Sequence, residues 1–339
     1  MFRVGTTGPD EVGGCTDAGA PGRDDPCPMP EPEVMAARPT TRQWISGARP
    51  RTLPLSVVSV LLGTGVAVAG TDGGAAAWAG RGPHVGIAVL CLVVALCLQI
   101  GVNYSNDYSD GVRGTDRFRR GPARLTGAGT ATPRAVLRVG LTFFGIAAVA
   151  GLVIVLLTGL WWMLVVGAVT IVAAWYYTGG KRPYGYRALG EVSVFVFFGL
   201  VAVLGTQVAQ LGHVTGQGWA AGTAAGLFAC GVLMVNNIRD LEVDRLADKR
   251  TLAVVVGERG ARSLYALFML APFLVLLVSV VAAPLTLVAA AALALALPAV
   301  AIGSRPAEAP RLIAALQLSS FASLAFGVLL TVALVTSAA

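Results

Sequence analysis

Nine stretches of about twenty apolar residues recur along the chain, near 52–70, 85–106, 135–157, 160–178, 189–211, 218–237, 263–282, 285–303 and 312–337. A helix rises about 1.5 Å per residue, so each window approaches or exceeds a hydrocarbon layer of about 30 Å. Lipid cannot satisfy open backbone groups, which leaves helices or a closed barrel. No run of alternating polarity marks barrel strands. A chain of 339 residues that is 55% hydrophobic and only 13% charged, with mean hydropathy +0.73, agrees with residence in a bilayer. The expected fold is all-α: a polytopic membrane bundle of nine transmembrane helices in one domain over 41–339.

Residues 1–40 differ, being rich in Pro, Gly and acids without an apolar run that could form a signal-peptide core. A disordered tail and a start codon assigned too far upstream, with Met29 or Met35 near the true start, account for this segment equally well. It holds three basic and seven acidic residues, leaving 22 basic against 11 acidic in the remainder. Those basic residues fall in alternate loops. Arg42, Arg49 and Arg51 precede the first span, Arg113, Arg124 and Arg134 follow the second with others, and Lys181, Arg182 and Arg187 follow the fourth. Arg239, Arg245, Lys249, Arg250, Arg259 and Arg262 follow the sixth, Arg305 and Arg311 the eighth, while the opposite loops hold only Arg81. By the positive-inside rule the N-terminus and the basic loops face the cytoplasm, with the cell membrane as the expected location.

The acids are more concentrated still. Seven of the eleven lie in 107–116 and 240–248, each segment closing a span on the cytoplasmic side. Asn103, Asp107 and Asp110 stand at i, i+4 and i+7, on one face of a helix continuing out of the second span. Asn236, Asp240, Asp244 and Asp248 follow at steps of four and make a single stripe after the sixth. Like charges so spaced destabilise an isolated helix by about 0.2–0.5 kcal/mol per pair, so a compensating cation is expected. Oxygen ligands without nearby His or Cys suit Mg²⁺, which keeps several waters and takes one or two carboxylates plus substrate phosphates. Ordinary loop charge, with arginines neutralising aspartates, explains one such pair. It does not explain two matched stripes, each preceded by Asn.

Other residues limit the chemistry. His84 and His213 fall in outer loops, which argues against haem or a His-based metal site, and the five cysteines form neither a zinc pattern nor a disulfide framework. Trp161, Trp162, Trp175, Tyr176 and Tyr177 flank the fourth span, where an interfacial aromatic belt is the ordinary arrangement and cavity lining the other.

The paired acidic segments resemble the two Asp-rich motifs of the UbiA superfamily of intramembrane aromatic prenyltransferases, and the resemblance covers essentially 44–339. "ARPRTLP" (48–54), "NDYSDGVRGTD" (106–116), "GPARL" (121–125) and "GYRALGE" (185–191) are similar to the menaquinone branch, which prenylates 1,4-dihydroxy-2-naphthoate, more than to the 4-hydroxybenzoate branch. The resemblance implies nine helices, a polyprenyl diphosphate donor bound through Mg²⁺, and transfer to the naphthoate with loss of CO₂. Carried over, Asp107, Asp110, Asp240 and Asp244 are the implied metal ligands, and Lys181 joins them in catalysis. Asn103, Arg124, Tyr177, Arg182, Asn236 and Asp248 are the implied substrate-binding residues.

In "YYTGGKRPYGYRALGE" (176–191) the glycines would let backbone amides approach an anion, while Lys181 and Arg182 contact phosphate; a Gly/Pro turn with topological charges is the alternative. Asp116 follows Asp110 by six residues, where the superfamily often has four, and receives no role. Other acceptors such as 4-hydroxybenzoate or homogentisate stay open, as do a cation-coupled transporter and a non-catalytic scaffold. A transporter expects a polar site near mid-bilayer, for which the spans offer only Gln99, Gln207 and Gln210.

Overall fold

Each apolar window becomes helix in the computed structural model, which describes residues 39–115 and 124–338. Asp116 and nearly all of the segment 1–40 therefore lie outside the described residues. Helices α1 (Thr41–Gly47), α2 (Pro54–Ala69), α3 (Gly74–Gly80), α4 (His84–Arg113), α5 (Pro133–Thr158) and α6 (Met163–Tyr176) lead to α7 (Gly190–Leu211). Helices α8 (Gly216–Leu246), α9 (Leu252–Ala282), α10 (Pro284–Gly303) and α11 (Ala309–Ser337) complete the chain. No strand forms among the described residues, only an isolated backbone pairing of Arg187 with Arg250.

Seven helices, α4, α5 and α7 to α11, are long and apolar enough to cross a bilayer. The first predicted window is part of a bent pair: Thr41–Thr52 meets α2 at 48°, and the pair together passes the same criterion. Arg49 takes a left-handed conformation, φ 55°, just before the bend, and Pro50 and Pro54, which cannot donate to the preceding turn, start the two pieces after it. The fourth window yields α6, with 14 residues. Capping fixes other boundaries: the Thr132 and Thr215 hydroxyls accept from the amides of Ala135 and Gly218 at the starts of α5 and α8.

Packing centres on α8, whose apolar window is 78% buried against 28% for α4 and α9. Its sequence "GWAAGTAAGLFACG" explains this, since small residues let backbones approach where no hydrophobic effect drives helices together. A Cβ on Gly199, in the π-helical turn Phe195–Val201 of α7, would lie 2.6 Å from the Gly222 carbonyl oxygen and the Gly226 Cα. Likewise Gly101 of α4 seats Phe144 of α5, where an added Cβ would come within 2.6 Å of the ring. Phe228, Phe273 and Phe326 stack edge to face where α8, α9 and α11 meet.

The long α4 and α8 position the site. Both run past their apolar windows without a break, and their last turns carry the two acidic segments. One expectation fails here. Helix α8 ends at Leu246 and Asp248 turns left-handed, φ 52°, and exposed, so the stripe stops at Asp244 and Asp248 does not share its face. Ala247 and Asp248, the two residues before Lys249, close the helix instead: the Lys249 amide donates to the Asp244 carbonyl.

Candidate active site

At the end of α4, Asp107 and Asp110 are each 2% exposed, a burial that charged carboxylates sustain only with partners. The Asp107 oxygens accept the amides of Leu125 and Thr126, both at 2.9 Å, so the backbone at these two residues wraps the carboxylate. Asp110 accepts from the Arg124 guanidinium on one oxygen and from the Tyr186 hydroxyl, at 2.6 Å, on the other. Asn103 donates to the Ala48 carbonyl at 2.9 Å, tying α4 to the loop after α1. Asn106, between them, receives the Thr178 hydroxyl at 2.6 Å.

The end of α8 repeats the arrangement with different partners. Arg239 grips the Asp240 carboxylate through Nε and Nη2, at 2.8 and 2.6 Å, and reaches Asn236 Oδ1 at 2.9 Å. Asp244 Oδ1 faces Lys249 Nζ at 3.5 Å, whereas its Oδ2 is buried with no hydrogen-bond partner. The two acidic segments meet through Tyr186. Its ring centroid lies 5.3 Å from Lys249 Nζ and 5.5 Å from Arg113 Cζ while its hydroxyl binds Asp110. Burial and the adjacent Asp110 carboxylate push the Tyr186 phenol well above its ordinary pKa.

Beside these helix ends opens a cavity of about 640 Å³. Its polar end is formed by Asn103, Asp107, Arg124, Tyr177, Asn236 and Arg239, with Arg49 and Arg51 nearby. Its body is apolar, drawn from α2, α4, α5, α6 and α7, with Val102, Ile154, Ile171, Phe197 and Val201 in the wall. Of the aromatic group at the fourth span, Tyr177 lines this cavity, meeting Tyr184 edge to face at 5.5 Å, whereas Tyr176, Trp161 and Trp162 are exposed.

The predicted residues thus separate into groups. Asn103, Asp107, Arg124, Tyr177 and Asn236 line the cavity; Asp110, Asp240 and Asp244 sit behind its polar end. Lys181, Arg182 and Asp248 are exposed and outside the wall. The Gly-rich turn is held by Arg113. The Gly179 amide donates to the Trp175 carbonyl, and Arg113 donates to the carbonyls of Thr178 and Gly180, so the turn is fastened to the end of α4.

Several residues in the site escaped sequence reasoning. Arg239 stands three residues after Asn236, one turn along the same face, and could have been found by that spacing. Tyr186 and Arg113 offered no such signal, because only the folded loops bring them to Asp110.

Among the described residues no three His, Cys, Asp or Glu side chains are gathered into a ready-made metal cluster. Each carboxylate has a basic or amide partner instead. The donor chemistry nevertheless fits a hard divalent ion. All donors are oxygens, Asp244 Oδ2 is orphaned, and Asp244 lies within electrostatic reach of both Asp240 and Asp110.

Fold and site together define a polytopic membrane protein with a mouth rich in carboxylates and arginines on an apolar chamber. The chain belongs to the UbiA prenyltransferase family, whose sequence pattern matches residues 65–324. It is 51% identical over 226 residues to the 1,4-dihydroxy-2-naphthoate octaprenyltransferase of Mycobacterium tuberculosis (strain ATCC 25618 / H37Rv), covering 66% of this chain and 73% of that one. With the Escherichia coli (strain K12) protein of the same name it shares 37% over 232 residues, 67% of this chain and 72% of that one. Among solved structures it is similar in fold to a UbiA homolog from Archaeoglobus fulgidus bound to GPP and Mg²⁺, with TM-score 0.58, 15% identity, and coverage of 85% of this chain and 99% of that one. The apo UbiA homolog from Aeropyrum pernix K1 gives TM-score 0.61 at 18% identity, covering 83% and 96%.

Proposed function

We propose that this chain transfers a polyprenyl group from polyprenyl diphosphate to 1,4-dihydroxy-2-naphthoate with loss of CO₂, giving a demethylmenaquinol in menaquinone biosynthesis. The acceptor follows the relatives' names at 51% and 37% identity. The observation that carries the mechanism is the cavity itself: an apolar chamber that ends at Asn103, Asp107, Arg124, Asn236 and Arg239. A substrate with a hydrocarbon tail and a diphosphate head has the same division.

Nine spans with a cytoplasmic N-terminus are part of this reading. Seven long helices and the bent α1–α2 pair support eight of them, the reading takes the shorter apolar α6 as the ninth, and the basic loops then all lie on the side of the two acidic segments. The mouth of the cavity faces the cytoplasm of the plasma membrane.

Asp107, Asp110, Asp240 and Asp244 would hold Mg²⁺, which when bound supplies positive charge against the charge growing on the diphosphate leaving group. Arg124, at the cavity wall, contacts the diphosphate, and Asn103 and Asn236 donate amide hydrogens beside it. Exposed Lys181 and Arg182 draw the anionic head toward the mouth. The bond from the first prenyl carbon to the diphosphate oxygen breaks with its electron pair leaving on oxygen. A new carbon–carbon bond then forms at the ring carbon bearing the carboxylate. Loss of CO₂ returns an electron pair to the ring, so no base need remove a ring proton. The apolar wall keeps water from the allylic cation. Tyr177, beside the reacting end, orients an acceptor hydroxyl, and exposed Asp248, outside the wall, takes no part in that step.

Mass spectrometry of products tests this, with purified protein in detergent given a long-chain polyprenyl diphosphate and 1,4-dihydroxy-2-naphthoate. A Mg²⁺-dependent prenylated product lacking the carboxylate is expected. Prenylation of 4-hydroxybenzoate or homogentisate instead would keep the family chemistry and overturn the acceptor.

A further inference from the structure

Lys249 occupies an unusual position. It is one of only two lysines in a chain with 25 basic residues, and it stands between the two acidic segments rather than on the surface facing water. Its ammonium is 3.5 Å from Asp244 Oδ1 and 5.3 Å from the centre of the Tyr186 ring, and that ring's hydroxyl binds Asp110 Oδ1 at 2.6 Å. The pairing does not depend on the acids. The Ala188 amide donates to the Arg250 carbonyl at 2.8 Å and the Arg250 amide to the Tyr186 carbonyl at 3.2 Å, so the backbone holds Lys249 and Tyr186 side by side.

The seat is loosely filled. Asp244 Oδ1 meets the ammonium at the long end of ion-pair range and Asp244 Oδ2 has no partner, although both oxygens belong to a buried carboxylate. Asp110 and Asp240 are electrostatically coupled to Asp244. The ammonium is the one cation in ion-pair range of Asp244 among the described residues, and it leaves the second oxygen of that carboxylate unmet. Asp110 and Asp240 are instead matched with arginines, Arg124 and Arg239, that make closer contacts. Lysine differs from these in carrying a compact charge on a flexible stem. The Lys249 side chain is also 20% exposed, against 9% for Arg124 and 4% for Arg239, and has room to move.

We propose that Lys249 is a resident counter-cation, parked on Tyr186 and Asp244, which a divalent ion displaces and which then turns to the substrate diphosphate. The proposal rests on the prenyl-diphosphate reading of the same site and adds a positioning residue to it. Before substrate arrives the ammonium offsets repulsion among the buried carboxylates. When an ion takes Asp244, repulsion drives the ammonium off, and the diphosphate is the neighbouring anion able to receive it. No bond is made or broken in the exchange. Mg²⁺ binding without diphosphate is therefore opposed by Lys249, and binding with diphosphate is assisted by it, so the ion and the substrate head arrive together.

Mn²⁺ binding, followed by electron paramagnetic resonance on the full chain in detergent with and without geranyl thiodiphosphate, reads this directly. Lys249→Met is expected to bind Mn²⁺ alone about two- to fivefold more tightly than wild type. The same variant should bind the analogue in saturating Mn²⁺ about tenfold more weakly. Lys249→Gln, which keeps a polar head, should shift both affinities in the same directions and covers the case in which the Met variant misfolds, as judged by its melting temperature. Unchanged or weaker Mn²⁺ binding in folded variants would overturn the competition, and unchanged analogue affinity would overturn the transfer to diphosphate. Wild-type protein that binds no Mn²⁺ even with the analogue overturns the metal reading of the acidic segments themselves, a failure distinct from the other two.

Discussion

The Tyr186 hydroxyl donates to Asp110 at 2.6 Å across 76 positions of sequence, fastening the loop between α6 and α7 onto the last turn of α4. This phenol touches no cavity wall, yet it holds one of the four carboxylates assigned to the metal. Tyr186→Phe removes the donor and keeps the ring beneath Lys249 and Arg113. Turnover is expected to fall about tenfold, with the apparent Mg²⁺ requirement raised, in a titration of rate against Mg²⁺.

The same phenol bears on pH. Because burial and Asp110 raise its pKa, the neutral donor is retained below that raised value and lost only as pH rises through it. Rate profiles of wild type and Tyr186→Phe between about pH 7 and pH 9.5 should therefore run parallel, differing in height only. A descending limb confined to wild type within that range would show that the phenol ionises there and would refute this account.

Asp107→Asn and Asp240→Asn should each lower turnover at least about 100-fold while the protein remains folded and inserted. Their stabilities should differ from wild type for separate reasons. An Asn at 107 sets an NH₂ group against the amide of Leu125 or Thr126, and an Asn at 240 leaves the buried Arg239 without its anion. Retained activity in both variants would remove the metal assignment. Melting in detergent and product formation, measured on the same preparations, separate the two effects.

Chelation gives a complementary test. Excess EDTA should abolish product formation, and Mg²⁺ or Mn²⁺ should restore it. Ca²⁺ should restore less, since it prefers more ligands at longer distances than two helix ends with waters supply.

Glycine positions predict a contrast in packing. Gly199→Ala forces a methyl within 2.6 Å of backbone in α8, which cannot swing aside, and is expected to cost about 1–3 kcal/mol of stability. Gly145→Ala on α5 meets nothing within 4 Å and should be neutral or slightly stabilising. Thermal unfolding of the two variants side by side checks this.

Much of the architecture could be read from residue pattern because each window of apolar residues must be helical in lipid, and each became so. The one-face placement of Asn103, Asp107 and Asp110 followed from helical period alone. What could not be read depended on contacts between distant segments. Whether the α8 stripe reached Asp248 was decided by the turn that pairs Arg250 with Tyr186, not by spacing. The pairing of the carboxylates with Arg124, Lys249 and Tyr186 was equally hidden, as charge in a basic loop looks the same whether it serves topology or a buried ion pair. The anchoring of the Gly-rich turn by Arg113 was hidden in the same way, since Arg113 lies 65 positions from Thr178.

The length of α6 bears on how a lipid substrate enters. Fourteen residues rise only about 21 Å, roughly 9 Å short of an average hydrocarbon core. Trp161 and Trp162 at one end and Tyr176 at the other mark where headgroups would settle. Because α6 supplies Leu164, Gly167 and Ile171 to the cavity wall, the proposed nine-span arrangement implies a bilayer that thins along that flank of the chamber. In that arrangement a long-tailed substrate would carry its polar head closer to the carboxylates than it could in undisturbed membrane, and the shape of the surrounding bilayer would become part of the substrate's path.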